Sequence, residues 1–146
     1  MGESLLRRLI PMGLLLLVAA CEPQIAPTTY RFTTTDESRE PFLTAIRTFA
    51  ADEGLRLKME VGSVGEDRIQ VFTLEGWRTQ ILMQSEYDGN HTIANQFRAS
   101  VLSTQDPMPW ALRHEELNAF AAKFENALVS VPGVEVERIQ VPEEFL

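Results

Sequence analysis

Hydrophobic and polar residues follow one another along the chain in patterns that predict six strands. Residues 29–35 are rich in β-branched and aromatic side chains, which favour a first strand. Residues 55–61 alternate strictly between apolar and polar side chains, which is typical of a strand with one buried face. Further strands are predicted over residues 68–74, 77–87, 91–102 and 134–141. The strand over 68–74 is apolar on both of its faces.

Two other segments place apolar residues at the spacing of one helix face. The first follows the capping residue Ser38 and ends before Gly54. Its apolar positions are Phe42, Leu43, Ile46, Phe49 and Ala50. The second runs from about 112 to 131, and its apolar positions are Leu117, Phe120, Ala121, Phe124 and Leu128.

The resulting order, β-α-β-β-β-β-α-β, predicts an α+β fold. Two helices with one apolar stripe each and a largely antiparallel sheet with one apolar face can bury each other in a two-layer sandwich. Both helices are then expected on the same face of the sheet. A ferredoxin-like arrangement with an added hairpin is our first prediction of the topology.

The hairpin formed by residues 77–87 and 91–102 allows a prediction of register. Its apolar residues are odd-numbered on both strands: Trp77, Ile81 and Met83, then Ile93, Phe97, Ala99 and Val101. Because side chains alternate between the two faces of a strand, these two odd-numbered sets share one face only if the residue numbers of each facing pair sum to an even number. A three-residue loop, Asp88-Gly89-Asn90, meets this condition and pairs Ile81 with Phe97.

The beginning of the chain carries the features of an export signal. Arg7 and Arg8 precede an apolar run of about twelve residues, whereas a transmembrane helix needs roughly 20. The run ends in Leu17-Val18-Ala19-Ala20-Cys21, which contains the only cysteine of the chain. This stretch resembles the lipobox of bacterial lipoprotein precursors.

The resemblance implies cleavage before Cys21, diacylation of its thiol and acylation of the new amino group. Because Glu22 rather than Asp follows the cysteine, it favours the outer membrane, on the periplasmic side, over the inner membrane. We therefore divide the chain into a signal peptide (1–20), a lipidated tether (21–28) and a single α+β domain (29–146). The tether reaches at most about 25 Å.

Composition limits the partners of the mature chain. The full sequence has 13 basic and 21 acidic residues, of which Arg7, Arg8 and Glu3 lie in the leader. Eleven basic and 20 acidic residues remain, a net charge of −9. A basic stripe for nucleic acid is therefore not expected. Repulsion from anionic lipids predicts that the anchor alone contacts the membrane. With Cys21 acylated, neither disulfides nor thiolate metal sites are expected.

The sequence contains no pattern typical of catalysis. His91 and His114, the only histidines, lack the spacing of metal ligands. Gly62-Ser63-Val64-Gly65 lacks the lysine of a phosphate-binding loop and predicts a turn. No Gly-x-Ser-x-Gly nucleophile motif occurs. We therefore predict no catalytic residues, metal or cofactor, and a protein that is not an enzyme.

The sheet face that points away from the helices is the candidate site. Phe72, Leu74 and Leu82 are expected there, beside polar residues that include Arg78 and Arg98. An exposed apolar patch with a polar rim is typical of a protein contact surface. The alternatives are that a bulge returns Phe72 and Leu74 to the core, or that residues 145–146 cover them.

Two functional hypotheses follow. The first is a lipid-anchored, non-catalytic module of the cell envelope that binds another protein through this sheet face or takes part in envelope assembly. The second is a periplasmic carrier or sensor of a small apolar or acyl ligand. Its pocket would lie between helices and sheet, lined by Phe42, Phe49, Phe120 and Phe124.

Overall fold

The computed structural model describes residues 27–105 and 108–139. Within these ranges it contains β1 (Thr28–Thr33), α1 (Arg39–Asp52), β2 (Arg56–Val64), β3 (Asp67–Glu75), β4 (Thr79–Tyr87), β5 (Thr92–Ser103), α2 (His114–Val129) and β6 (Glu135–Ile139). The predicted order of strands and helices is confirmed. The leader, the lipobox with Cys21, and the chain after Ile139 lie outside the described residues.

The strands form a single antiparallel sheet in the order β2-β3-β4-β5-β1-β6. β1 lies between β5 and β6, the two strands that α2 connects. The part β4-β5-β1-β6 has the strand order of a ferredoxin-like fold. The hairpin β2–β3 extends it beyond β4. The fold is therefore an α+β two-layer sandwich, as predicted.

Both helices pack on the same face of the sheet. α1 buries Phe42, Leu43, Ile46, Phe49 and Ala50, as its periodicity predicts, and α2 buries Leu117, Ala121, Phe124 and Leu128. The strands bury Tyr30, Phe32, Phe72, Leu74, Ile81, Met83, Phe97, Ala99 and Val101. Aromatic rings join the layers: the Phe32 and Phe124 centroids are 5.8 Å apart, edge to face.

The β4–β5 hairpin has the predicted parity but not the predicted loop. Ile81 faces Val101 rather than Phe97, so facing numbers still sum to an even number, and the buried members of the two apolar sets are Ile81, Met83, Phe97, Ala99 and Val101. Trp77 was expected to point inward with them but lies outside β4 and is exposed, and Ile93 is only half-buried. The loop has four residues, because Tyr87 pairs with Thr92 and the N–H of Asp88 donates to the carbonyl of His91. A bulge at residues 93–96 of β5 then restores the parity, and Asn95 adopts a φ of 60° within it.

The turn of the β2–β3 hairpin also differs from the prediction. Gly62 and Val64 lie within β2, facing Ile69 and Asp67, and the chain reverses at Gly65-Glu66, where Gly65 has a φ of 61°. The strand was expected to bury one face along its whole length. The core reaches Leu57, but Met59 and Val61 are exposed.

Phe72 and Leu74 belong to the core, and their predicted place on the open sheet face is wrong. Phe72 faces Met83 and Leu74 faces Ile81, so the even-numbered residues of β3 share a face with the odd-numbered residues of β4. The four-residue connection between Glu75 and Gln80 is the cause, because the residue numbers of each facing pair on β3 and β4 then sum to an odd number. Ile69 and Val71 consequently lie on the side away from the helices.

Candidate functional site

We call the sheet surface opposite the helices the open face. Its centre is a shallow groove of about 300 Å³ between β3, β4 and β5, lined by Val71, Leu82, Met83, Gln84, Arg98 and Ser100. The Leu82 side chain lies in the middle strand of the three and is 42% exposed. Of the apolar residues predicted for this face, Leu82 is placed on it and Phe72 and Leu74 are not.

The two predicted arginines are separated by the fold. Arg98 projects onto the open face, where it stands across from Gln84. Arg78 precedes β4 and approaches the start of α2 instead, donating to the carbonyl of Ala111 at 3.3 Å and to the carboxylate of Glu116 at 3.4 Å. Arg78 therefore ties the β3–β4 connection to α2, and the prediction that it rims the open face is wrong.

A charged network crosses the open face beside the groove. Arg31 on β1 stands directly opposite Arg98 on β5, an arrangement that would destabilise the sheet if both charges were unpaired. The buried carboxylate of Glu86 resolves it, because its Oε1 accepts a hydrogen bond from the Nε of each arginine, at 3.0 and 3.1 Å. Arg31 also donates to Glu137 on β6 at 3.1 Å.

This network fixes the orientation of the two guanidinium groups. Hydrogen bonding to Glu86 raises the pKa of Arg31 further, so its charge is constant at any physiological pH. Arg98 is about half exposed, and within the described ranges no residue accepts a hydrogen bond from its Nη atoms. These donors are therefore available to a carboxylate or carbonyl group that approaches the groove.

Sequence reasoning missed Arg31, and it placed Glu86 on this face only as an ordinary solvent-facing residue, whereas Glu86 is buried. The signal for Arg31 was present, because it alternates with Tyr30 and Phe32, both of which are buried against the helices. The sequence carries no comparable signal for Glu86, because its contacts with Arg31 and Arg98 depend on how β4 aligns with β5 at the bulge.

The phenylalanines proposed to line a ligand pocket contact each other instead. Phe49 lies 5.3 Å from Phe124 and 5.7 Å from Phe120, measured between ring centroids. Phe42 stacks on Phe97 at 5.4 Å. These contacts occupy the region in which the carrier hypothesis placed its ligand.

The histidine and acidic side chains that the structure describes do not gather into a metal site. No three histidine, aspartate or glutamate side chains within the described ranges are placed to share a metal ion. His91, in the β4–β5 loop, and His114, at the start of α2, are both exposed. His91 lies 3.6 Å from Asp67, measured from Nδ1 to Oδ2.

Neither helix that the structure describes is long and apolar enough to cross a membrane. Comparison with models of protein families and with curated proteins finds no match to the chain.

Proposed function

We propose that the protein is a lipid-anchored component of the bacterial outer membrane that faces the periplasm and binds another envelope protein through the open face. The anchor part of this proposal rests on the resemblance of residues 17–21 to a lipobox. The role is non-catalytic. The mature chain would place its domain within about 25 Å of the bilayer surface.

The observation that carries the binding part is the combination at the groove of an exposed apolar side chain with oriented cationic donors. Leu82 offers apolar area, and Arg98, held by Glu86, offers charged hydrogen-bond donors. Thr29 and Ser100 next to them have small hydroxyl side chains, whose oxygens are 3.2 Å apart. These side chains project little from the sheet, so they leave space beside Leu82. Such a surface suits a partner segment that presents an apolar side chain next to a carboxylate or carbonyl group.

Site-specific crosslinking tests this proposal. A photoreactive amino acid replaces Leu82 in the full chain expressed in its native cell, and a matched variant carries it at Ala122, which is exposed on α2. We expect a discrete protein adduct from position 82 and none from position 122. The same adduct should disappear when Arg98→Ala is added.

Two results would contradict the proposal. Equal adducts at both positions would show contact without preference for the open face. The absence of any protein adduct at position 82, with lipid or another small apolar molecule co-purifying, would instead favour the carrier hypothesis.

A further inference from the structure

One end of the sandwich exposes three large apolar side chains. Trp77 is 67% exposed, and Met108 and Trp110 are each 44% exposed. Trp77 lies just before β4, and Trp110 lies between β5 and α2. The chain has two tryptophans in all, so both are exposed at this end, which we call the tryptophan end.

Hydrogen bonds hold the tryptophan end in a defined arrangement. Thr104 Oγ1 and Gln105 Nε2 both donate to the carbonyl of Trp77, each at 3.0 Å. The Oε1 atom of the same glutamine accepts the indole N–H of Trp110 at 3.3 Å. Gln105 therefore connects the two tryptophan segments, and their exposure is a feature of the fold rather than of a loose terminus.

The chain from the proposed anchor enters the domain at this same end. β1 begins at Thr28, which faces Val101 near the end of β5, and Ser103 faces Thr79 at the start of β4. Trp77 precedes Thr79 by two residues. The seven steps along the chain from Cys21 to Thr28 span at most about 25 Å, so an anchored domain has its tryptophan end close to the bilayer.

Charge distinguishes the two ends of the sheet. At the tryptophan end, Glu116 is paired with Arg78 and Glu75 with Arg56. The exposed charges there include two acids, Asp52 and Glu115, and one base, Arg113. The opposite end exposes a group of acidic side chains in its loops: Asp36, Glu37, Glu66 and Asp88. Repulsion from anionic head groups, from which we expected the anchor alone to contact the membrane, would therefore act more strongly on the opposite end than on the tryptophan end.

We infer that the tryptophan end is a membrane-facing surface, and that Trp77, Met108 and Trp110 enter the interfacial layer of the bilayer to which Cys21 is attached. Tryptophan favours this layer because its ring is apolar while its N–H remains near polar groups. This inference rests on the proposed lipid anchor. A short tether gives the surface a high effective concentration at the bilayer, so a contact too weak to recruit the free domain is still occupied.

The cysteine and the tryptophans make this inference directly testable. Cys21 is the only thiol, so the mature chain (21–146), which keeps every described residue, can be coupled to a maleimide phospholipid in phosphatidylcholine vesicles. The vesicles contain either ordinary lipid or lipid brominated near the top of one acyl chain, which quenches tryptophan at the interface. Trp77→Phe and Trp110→Phe variants report on one tryptophan each.

We expect brominated lipid to reduce the fluorescence of both single-tryptophan variants. The matched control combines Trp77→Phe and Trp110→Phe with His91→Trp, which moves the reporter to the exposed loop at the opposite end, and it should keep its fluorescence. Circular dichroism checks that every variant is folded.

Equal quenching of all three reporters would mean that the domain tumbles without a preferred end, and unquenched Trp77 and Trp110 would mean that this end does not touch lipid. Either result overturns the inference. Because coupling is chemical, these results do not depend on whether the cell acylates Cys21, so a failure here leaves the anchor proposal standing.

Discussion

Glu86 is the residue whose role is best defined by its contacts. It is buried, and one of its oxygens accepts hydrogen bonds from two arginines that would otherwise face each other as like charges. Glu137 contacts one of the same arginines but is 67% exposed. The two glutamates therefore share a partner and differ in burial, which makes them a matched pair for mutation.

We expect Glu86→Ala to lower the free energy of unfolding by roughly 1.5–3 kcal/mol, the usual contribution of hydrogen bonds to charged groups. Glu137→Ala should cost less than about 0.5 kcal/mol, because an exposed ion pair contributes little. Urea denaturation of both variants measures the difference. Equal losses would show that Glu86 does not organise the open face.

Tyr30 provides a second residue-scale prediction, because burial, followed by the nearby charge of Glu125, raises its pKa from 10.0 to about 12, while Arg138 acts in the opposite direction. The folded chain thus holds the phenolic proton more tightly than the unfolded chain. The stability difference is fully present below pH 10 and is lost as the pH rises from 10 to 12.

Between about pH 8 and pH 11, the native chain should therefore lose roughly 1–1.5 kcal/mol more unfolding free energy than the Tyr30→Phe variant. Urea denaturation at both pH values gives the comparison, in which other titrating groups cancel. An identical pH dependence of the two proteins would contradict the assigned environment of Tyr30.

At the scale of elements, periodicity was sufficient to predict the helices and the order of the strands. The five apolar positions predicted for α1 are its buried residues. The connections were harder to predict, because making a loop one residue longer or shorter moves every side chain of the next strand to the opposite face of the sheet. The pattern of β3, apolar on both faces, fits either orientation, so only its register with β4 decides that Phe72 is buried and Val71 is not.

The same limit applied to the candidate site. Leu82 and Arg98 were placed on the open face because the parity of the β4–β5 hairpin survived its bulge. Arg78 was misplaced because β4 begins at Thr79, two residues later than predicted, which leaves Arg78 outside the strand. Trp77 was expected to point inward in a longer strand, yet it lies outside β4 and is exposed.

The register of β3 predicts a contrast between two adjacent residues. Phe72→Ala should lower the free energy of unfolding by about 3–5 kcal/mol, because it leaves a cavity in the core. Val71→Ala, on the open face, should cost under about 1 kcal/mol. Thermal or urea denaturation measures both, and a larger loss for Val71→Ala would mean that the two faces of β3 are exchanged.

At the scale of the whole molecule, the two proposals define one orientation. With the tryptophan end on the bilayer, the strands run away from the membrane and the open face stands at the side of the domain, accessible to a neighbouring protein. The acidic loops then point into the periplasm. The lipid anchor and the interfacial tryptophans would set the height and direction of a surface whose chemistry is decided by Leu82, Arg98 and Glu86.

The attachment of the chain at Cys21 is the claim on which this orientation depends. Mass spectrometry of the protein purified from its native cell measures it directly. We predict a mature chain that lacks residues 1–20 and begins with Cys21, carrying a diacylated thiol and an acylated amino group. A chain that retains its leader, or one with an unmodified thiol at position 21, would contradict the account.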